Sequence, residues 1–149
     1  MDQRRPTVRS GPWELSVVED FLDRSAIPLR LASNGAAFPL VQSVWFVYDD
    51  GSLWCCTQSA SVLAKRLQAD PRCAFEVSGD QPPYRGVRGT GTARIRSDSA
   101  HEVLPRLIDR YLGDRPDDLA RWLISRLDSE VAIQIEGLSV TSWDYSARM

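Results

Sequence analysis

Basic residues other than arginine are almost missing from this 149-residue chain: Lys65 is its one lysine and His101 its one histidine. A single histidine leaves little room for a histidine-built metal site within one chain. The three cysteines are Cys55, Cys56 and Cys73, with no CxxC spacing and no cysteine–histidine cluster. Alternation along a strand would send Cys55 and Cys56 to opposite faces, so they cannot grip one metal together. Reduced, partly buried thiols and no metal are therefore expected. No stretch approaches the ~20 apolar residues of a membrane helix. Met1 to Arg9 is polar and lacks the apolar heart of a signal peptide. Residues 1–12 are thus expected to form a flexible arm on a cytoplasmic protein, with residues 13–149 as one domain. There is no GxGxxG, which argues against a Rossmann domain, and no internal repeat. The net charge of −2 gives no electrostatic reason for nucleic acid or an anionic membrane as partner.

What remains is an ordinary globular mixture, 43% hydrophobic and 26% charged. A single domain of this length buries roughly 68–70% of its unfolded surface, so it needs no staple. Ser16-Val-Val-Glu19 has the form of a capping box and predicts a helix to about Arg24, with Val17, Phe21 and Leu22 as its apolar contacts. Leu29 to Ala32 reads as a strand, and Asn34-Gly35 as a hairpin turn. Pro39 to Tyr48 is rich in β-branched and aromatic residues and reads as one strand. Asp49-Asp50-Gly51 turns it into another, Ser52 to Thr57. A helix is predicted from Ser61 to Ala69, stopped by Asp70-Pro71.

Further strands are predicted at Ala74–Val77 and at the glycine-studded Gly86–Ile95, joined by the stiff loop Gln81-Pro-Pro-Tyr84. Ser99-Ala-His-Glu102 starts a helix to Leu112 that Pro105 should kink. Another helix spans Asp117 to Leu127, with Leu119, Leu123 and Leu127 in one stripe. Val131 to Ile135, a turn near Gly137, and Ser139 to Tyr145 complete the chain. Short hairpins without βαβ alternation mean antiparallel pairing. The expectation is an α+β fold: an antiparallel six- to seven-stranded β-barrel with peripheral helices.

Five stretches taken in order resemble the FMN-binding split-barrel family typified by pyridoxamine 5′-phosphate oxidase. They are Asn34-Gly35, Val44-Trp-Phe-Val-Tyr-Asp-Asp-Gly51, Thr57 to Arg72, Pro82-Pro-Tyr-Arg-Gly-Val-Arg-Gly89 and Val140-Thr-Ser-Trp-Asp-Tyr145. The resemblance implies a split barrel, a homodimer and two cofactor sites at its interface. It implies a flavin- or deazaflavin-dependent oxidoreductase acting on a small molecule, with FMN as cofactor and the deazaflavin coenzyme F-420 as the alternative. The ring would lie along Ser43, Val44 and Trp45. The phosphate end would meet Thr57, Gln58, Ser61 and Lys65. Trp143 of the partner chain would cover the ring, and Arg85 would hold an anionic group of cofactor or substrate.

The residues themselves allow a blander reading at each point. Thr57 to Ser61 supplies hydroxyl and amide donors before a helix N-terminus, where an anion is favoured; it is equally an ordinary cap with a solvated lysine. Family members carry a basic residue two positions after the serine and an arginine two further on, whereas this chain has Leu63 and Lys65. Leu63 and Leu67 should face the core, with Lys65 turned roughly 160° away. Arg85 and Arg88 read either as anion ligands or as edge charges that discourage aggregation. No catalytic triad or acid pair stands out, as in flavoenzymes whose cofactor carries the electron chemistry. Leu63 keeps a second reading open: a non-catalytic cofactor- or ligand-binding protein on the same scaffold.

Overall fold

The computed structural model describes residues 4–114 and 118–148. Its strands are β1 (Thr7–Ser10), β2 (Leu29–Ser33), β3 (Leu40–Val44), β4 (Val47–Asp49), β5 (Ser52–Gln58), β6 (Arg72–Ser78), β7 (Arg85–Arg96) and β8 (Glu130–Asp144). Its α-helices are α1 (Leu15–Arg24), α2 (Val62–Ala69), α3 (Ala100–Leu112) and α4 (Asp118–Ser125). Seven strands hydrogen-bond in the antiparallel order β3-β2-β6-β7-β8-β5-β4. The two ends of this path, β3 and β4, are separated in sequence only by Trp45 and Phe46. The sheet must therefore curl until its ends meet, which makes the α+β split barrel. Strand β1 is added in parallel to β8.

Side-chain alternation builds two cores from one sheet. On β5, Leu53 and Cys55 point into the barrel, with Phe46, Phe75, Ile133 and Ile135. Val18 and Leu22 of α1, and Leu63 and Leu67 of α2, join the same cluster. Trp54 and Cys56 take the opposite face, against Val47, Val103, Leu107 and Ala132 under α3. Residues 131–133 of β8 are buried on both faces for this reason.

Several expectations are corrected. Thr7–Ser10, placed in a flexible arm, pair instead with Ser139–Thr141. Helix α1 starts at Leu15 with Glu14 as its cap residue and no side-chain cap, so the box at Ser16 is not used. Val17 is consequently exposed, and Val18 takes the inward position. The single strand Pro39–Tyr48 is broken at Trp45-Phe46, where the barrel closes. Asn34-Gly35 begins a six-residue connection rather than a two-residue turn; the Asn34 amide donates to Asp70 instead. Helix α3 runs on through Pro105 to Leu112, with no side-chain cap from Ser99. The chain does not turn back at Gly137. That residue, at φ 63°, sits within one continuous strand, where the β7 register slips between Thr90 and Thr92. A bulge of this kind bends a long strand around a barrel corner. Asp117, the predicted start of α4, lies outside the described residues.

Other elements stand as read. Asp50 and Gly51 both have positive φ, 49° and 79°, as a tight hairpin with right-handed strand twist demands. Ser61 caps α2, its Oγ accepting from Ala64 N at 3.0 Å.

Candidate functional site

The end of β3, the end of β5 and the start of β8 surround a pocket of about 290 Å³ that α3 and α4 roof over. Ser43, Val44 and Trp45 form one side. Leu104 and Leu107 of α3 and Leu119 and Leu123 of α4 give aliphatic walls. Cys56 and Glu130 close the remaining side. The volume falls near the lower limit of small-molecule pockets, and mostly apolar walls with a few polar groups are their usual make-up.

Trp45 is held in place by stacking on Tyr111, ring centroids 5.0 Å apart and planes within 5°. The Tyr111 hydroxyl donates to Ile27 O at 2.9 Å and accepts from Phe46 N at 3.2 Å. It thus satisfies the backbone at the point where β3 gives way to β4. Burial raises the Tyr111 pKa, so this phenol stays protonated.

A polar chain leads from the pocket to the start of α2. Glu130 is buried, and its Oε1 accepts from Gln58 Nε2 at 2.6 Å. The other end of that amide, Gln58 Oε1, accepts from Ser129 Oγ at 2.6 Å. Next to Gln58, Thr57 Oγ1 donates to Ser61 Oγ at 2.9 Å. Glu130 Oε2 is buried with no partner among the described residues. Burial first, and the negative charge of Glu130 second, push the Cys56 thiol up to about 12, so it is not a thiolate nucleophile.

The structure places Ser43, Val44 and Trp45 at the pocket and Gln58 against its Glu130, while Thr57 and Ser61 bond to each other at the start of α2. The other three residues singled out from sequence lie elsewhere in the chain. Lys65 is exposed and lines a separate groove of about 350 Å³ with Asn34, Gly35, Arg66 and Asp70. Arg85 begins β7 opposite Asp144, near the far end of β8 from Glu130. Trp143 sits beside it, opposite Gly86. A Cβ on Gly86 would lie 2.8 Å from Trp143 Cζ2 and 2.6 Å from Val77 O, so only glycine lets the indole lie this close. None of the described residues lining the pocket is basic. Leu63 is buried in the core, as its spacing to Leu67 requires. His101 is exposed on α3.

Sequence reasoning missed Glu130, Cys56 and the four leucines of the roof. Glu130 left one signal: a charged residue directly before the apolar run Val131-Ala-Ile133. The leucines could not be assigned, because the same stripe serves any helix that packs on a sheet.

A flavin-type group can be set against these residues. The pocket offers flat apolar walls, the edge of β3 and one buried acceptor without a partner, which suits the edge of a ring. The Thr57 and Ser61 hydroxyls and the N-terminus of α2 lie just beyond Gln58, and no cation lines the pocket among the described residues. Among the described residues, no three histidine, cysteine, aspartate or glutamate side chains gather where they could hold a metal ion. No helix among them is long and apolar enough to cross a membrane.

No curated protein matches the sequence. Among solved structures, a conserved hypothetical protein of Mycobacterium tuberculosis is 27% identical, with a TM-score of 0.76 over 90% of this chain and 86% of that one. An F-420 reductase is 24% identical, with a TM-score of 0.65 over 79% of this chain and 90% of that one. An FAD-binding protein of Mesorhizobium loti is 17% identical, with a TM-score of 0.66 over 87% of this chain and 93% of that one. The last two are similar in fold. The pyridoxamine 5′-phosphate oxidase family pattern matches residues 15–149, nearly the whole chain, and the chain belongs to that family.

Proposed function

We propose that the protein is a flavin- or deazaflavin-dependent oxidoreductase that acts on a small molecule as a homodimer, with FMN as cofactor and the deazaflavin coenzyme F-420 as the alternative. One observation carries this reading: the end of β3, Cys56 of β5 and Glu130 line one pocket, and Gln58, just before the Ser61 cap of α2, bonds Glu130. Similarity to an F-420 reductase and to an FAD-binding protein supports it.

Ser43, Val44 and Trp45 would lie along the ring, and Thr57, Gln58 and Ser61 would meet the phosphate end. The cofactor, when bound, accepts and returns a hydride; the protein's share is position and exclusion of water. The four leucines of the roof keep water from the ring. Trp45, fixed by Tyr111, sets one boundary of its seat. Arg85 and Trp143 stand together near the far end of β8, so they reach this pocket only from a second protomer. In the dimer they would supply the positive charge and the aromatic cover that one chain lacks.

A second reading is favoured by one observation: Leu63 is in the core and Lys65 faces another groove, so neither supplies a cation at the phosphate end. On that reading the scaffold binds a ligand without performing catalysis. Titration of the purified protein with FMN and with coenzyme F-420, followed by cofactor fluorescence at equilibrium, separates the two. Micromolar binding to one of them, about −8 kcal/mol, supports the oxidoreductase and names the cofactor. No saturable binding to either removes the oxidoreductase reading. In the same assay, Lys65→Ala should weaken binding about tenfold if Lys65 contacts the phosphate across the dimer. An unchanged affinity would remove Lys65 from the site.

A further inference from the structure

Glu130 places a carboxyl group where the fold satisfies only one of its two oxygens. It opens β8 with 9% of its surface exposed, directly ahead of residues buried on both faces. Gln58 satisfies one carboxylate oxygen and leaves the other bare. The amide cannot be turned to serve both. A carboxylate oxygen accepts, so the Gln58 NH₂ faces Glu130 and the amide oxygen lies toward Ser129 Oγ. A buried acceptor without a partner is costly to keep. Glu130 lines the pocket, where it is the only charged residue among the described lining residues.

We propose that Glu130 is the residue that selects and orients the ligand: its Oε2 accepts a hydrogen bond from an N–H on the edge of a nitrogen heterocycle seated beneath the four leucines. In the flavin class this N–H is the ring imide, so the inference rests on the flavin reading above. A carboxylate at this point favours a neutral or cationic edge and repels an anionic one. The phosphate therefore lies away from Glu130, and the Gln58 amide nitrogen, bonded to Oε1, also holds the Glu130 side chain in position. Discrimination should be steep, because a buried polar group rejects an analogue that leaves it unpaired.

Riboflavin and 3-methylriboflavin test this directly, since the methyl group replaces the single ring N–H of the oxidised flavin. Equilibrium fluorescence titrations compare both ligands on the wild-type chain and on Glu130→Gln. The variant keeps an oxygen for Gln58 and presents an NH₂ group to the pocket in place of the acceptor. The wild type should bind riboflavin at least about tenfold more tightly than the methylated ligand, about 1.4 kcal/mol. In Glu130→Gln the gap should shrink to about twofold or less, with the unliganded melting temperature unchanged. Equal affinity of the two ligands for the wild type overturns the inference, as does a preference that survives in the variant. If the variant fails to fold, the wild-type pair decides alone. Flavin binding that ignores the methyl group overturns this inference and leaves the oxidoreductase reading standing; no binding of FMN, coenzyme F-420 or riboflavin overturns both.

Discussion

Arg110 ties the last turn of α1 to α3, and replacing it by methionine should destabilise the fold by about 3 kcal/mol. Its guanidinium donates to three carbonyls: Leu22 O at 2.9 Å, Asp23 O at 2.6 Å and Ser25 O at 2.6 Å. These belong to the end of α1, where helix geometry leaves the carbonyls without intrahelical donors. A cation at this end also opposes the negative pole of the helix. The guanidinium carbon lies 5.1 Å from the centroid of Phe46, in the main core. A hydrogen bond to a charged group contributes roughly 1.5–3 kcal/mol net. Because the bonds are only partly buried, the lower value applies, which gives about 4–5 kcal/mol for three. Arg110 Nε is buried with no partner, and deleting it returns about 1–2 kcal/mol. The balance is about 3 kcal/mol, which for a domain of this length lowers the melting temperature by roughly 6–12 °C. Methionine keeps the apolar stem against Phe46, so the loss isolates the guanidinium. The assay is thermal unfolding at fixed protein concentration, since a dimer's melting point depends on it, with urea unfolding to check that the slope is unchanged. A fall of less than about 2 °C would refute the argument that Arg110 anchors α1.

The three thiols should resist modification in the folded protein at pH 8. Burial raises Cys55 furthest, Cys56 to about 12 and Cys73 to about 11, and Ellman's reagent should titrate them only after unfolding; rapid stoichiometric labelling of the native chain would contradict this. Acid should weaken the fold through Asp70. Its carboxylate is held well below the usual range by hydrogen bonds from the Arg72 side chain and backbone, and by the Asn34 amide. A carboxylate lowered in the folded state stabilises fully above its unfolded pKa, about 4, and loses that contribution as pH falls below it. Melting temperatures from pH 7 to 3 should therefore fall less steeply for Asp70→Asn than for the wild type, and parallel curves would show that Asp70 contributes nothing.

Local chemistry made some elements legible and not others. The Asp49-Asp50-Gly51 turn and the Ser61 cap could be read because each depends on residues a few positions apart. So could the division of Cys55 and Cys56 between two faces, which follows from alternation alone. The fate of Gly137 could not be read. A glycine at positive φ serves a turn or a bulge equally, and only pairing with the distant β7 makes it a bulge here. The break at Trp45-Phe46 was hidden for a similar reason: both residues suit a strand, and it is barrel closure that interrupts it. At the candidate site, Ser43 to Trp45 and Thr57 to Ser61 were found as sequence segments. The carboxylate that joins them comes from Glu130, more than seventy positions beyond Gln58, and no local pattern marks that pairing.

Strand β8 lies between β7 and β5 and also carries β1, so it is the shared partner of three others. Without it the hydrogen-bonded path separates into two fragments, β3-β2-β6-β7 and β5-β4. Two covalent links, one through Trp45 and Phe46 and one from β5 through α2 to β6, would still join them. A chain that ends at α4 lacks the strand that hydrogen-bonds β7 to β5. The hydrogen-bonded barrel, and with it the pocket that Glu130 completes, thus depends on the last strand, whose pairings with β1 and β5 span long stretches of sequence and carry a larger loop-closure cost than the hairpins.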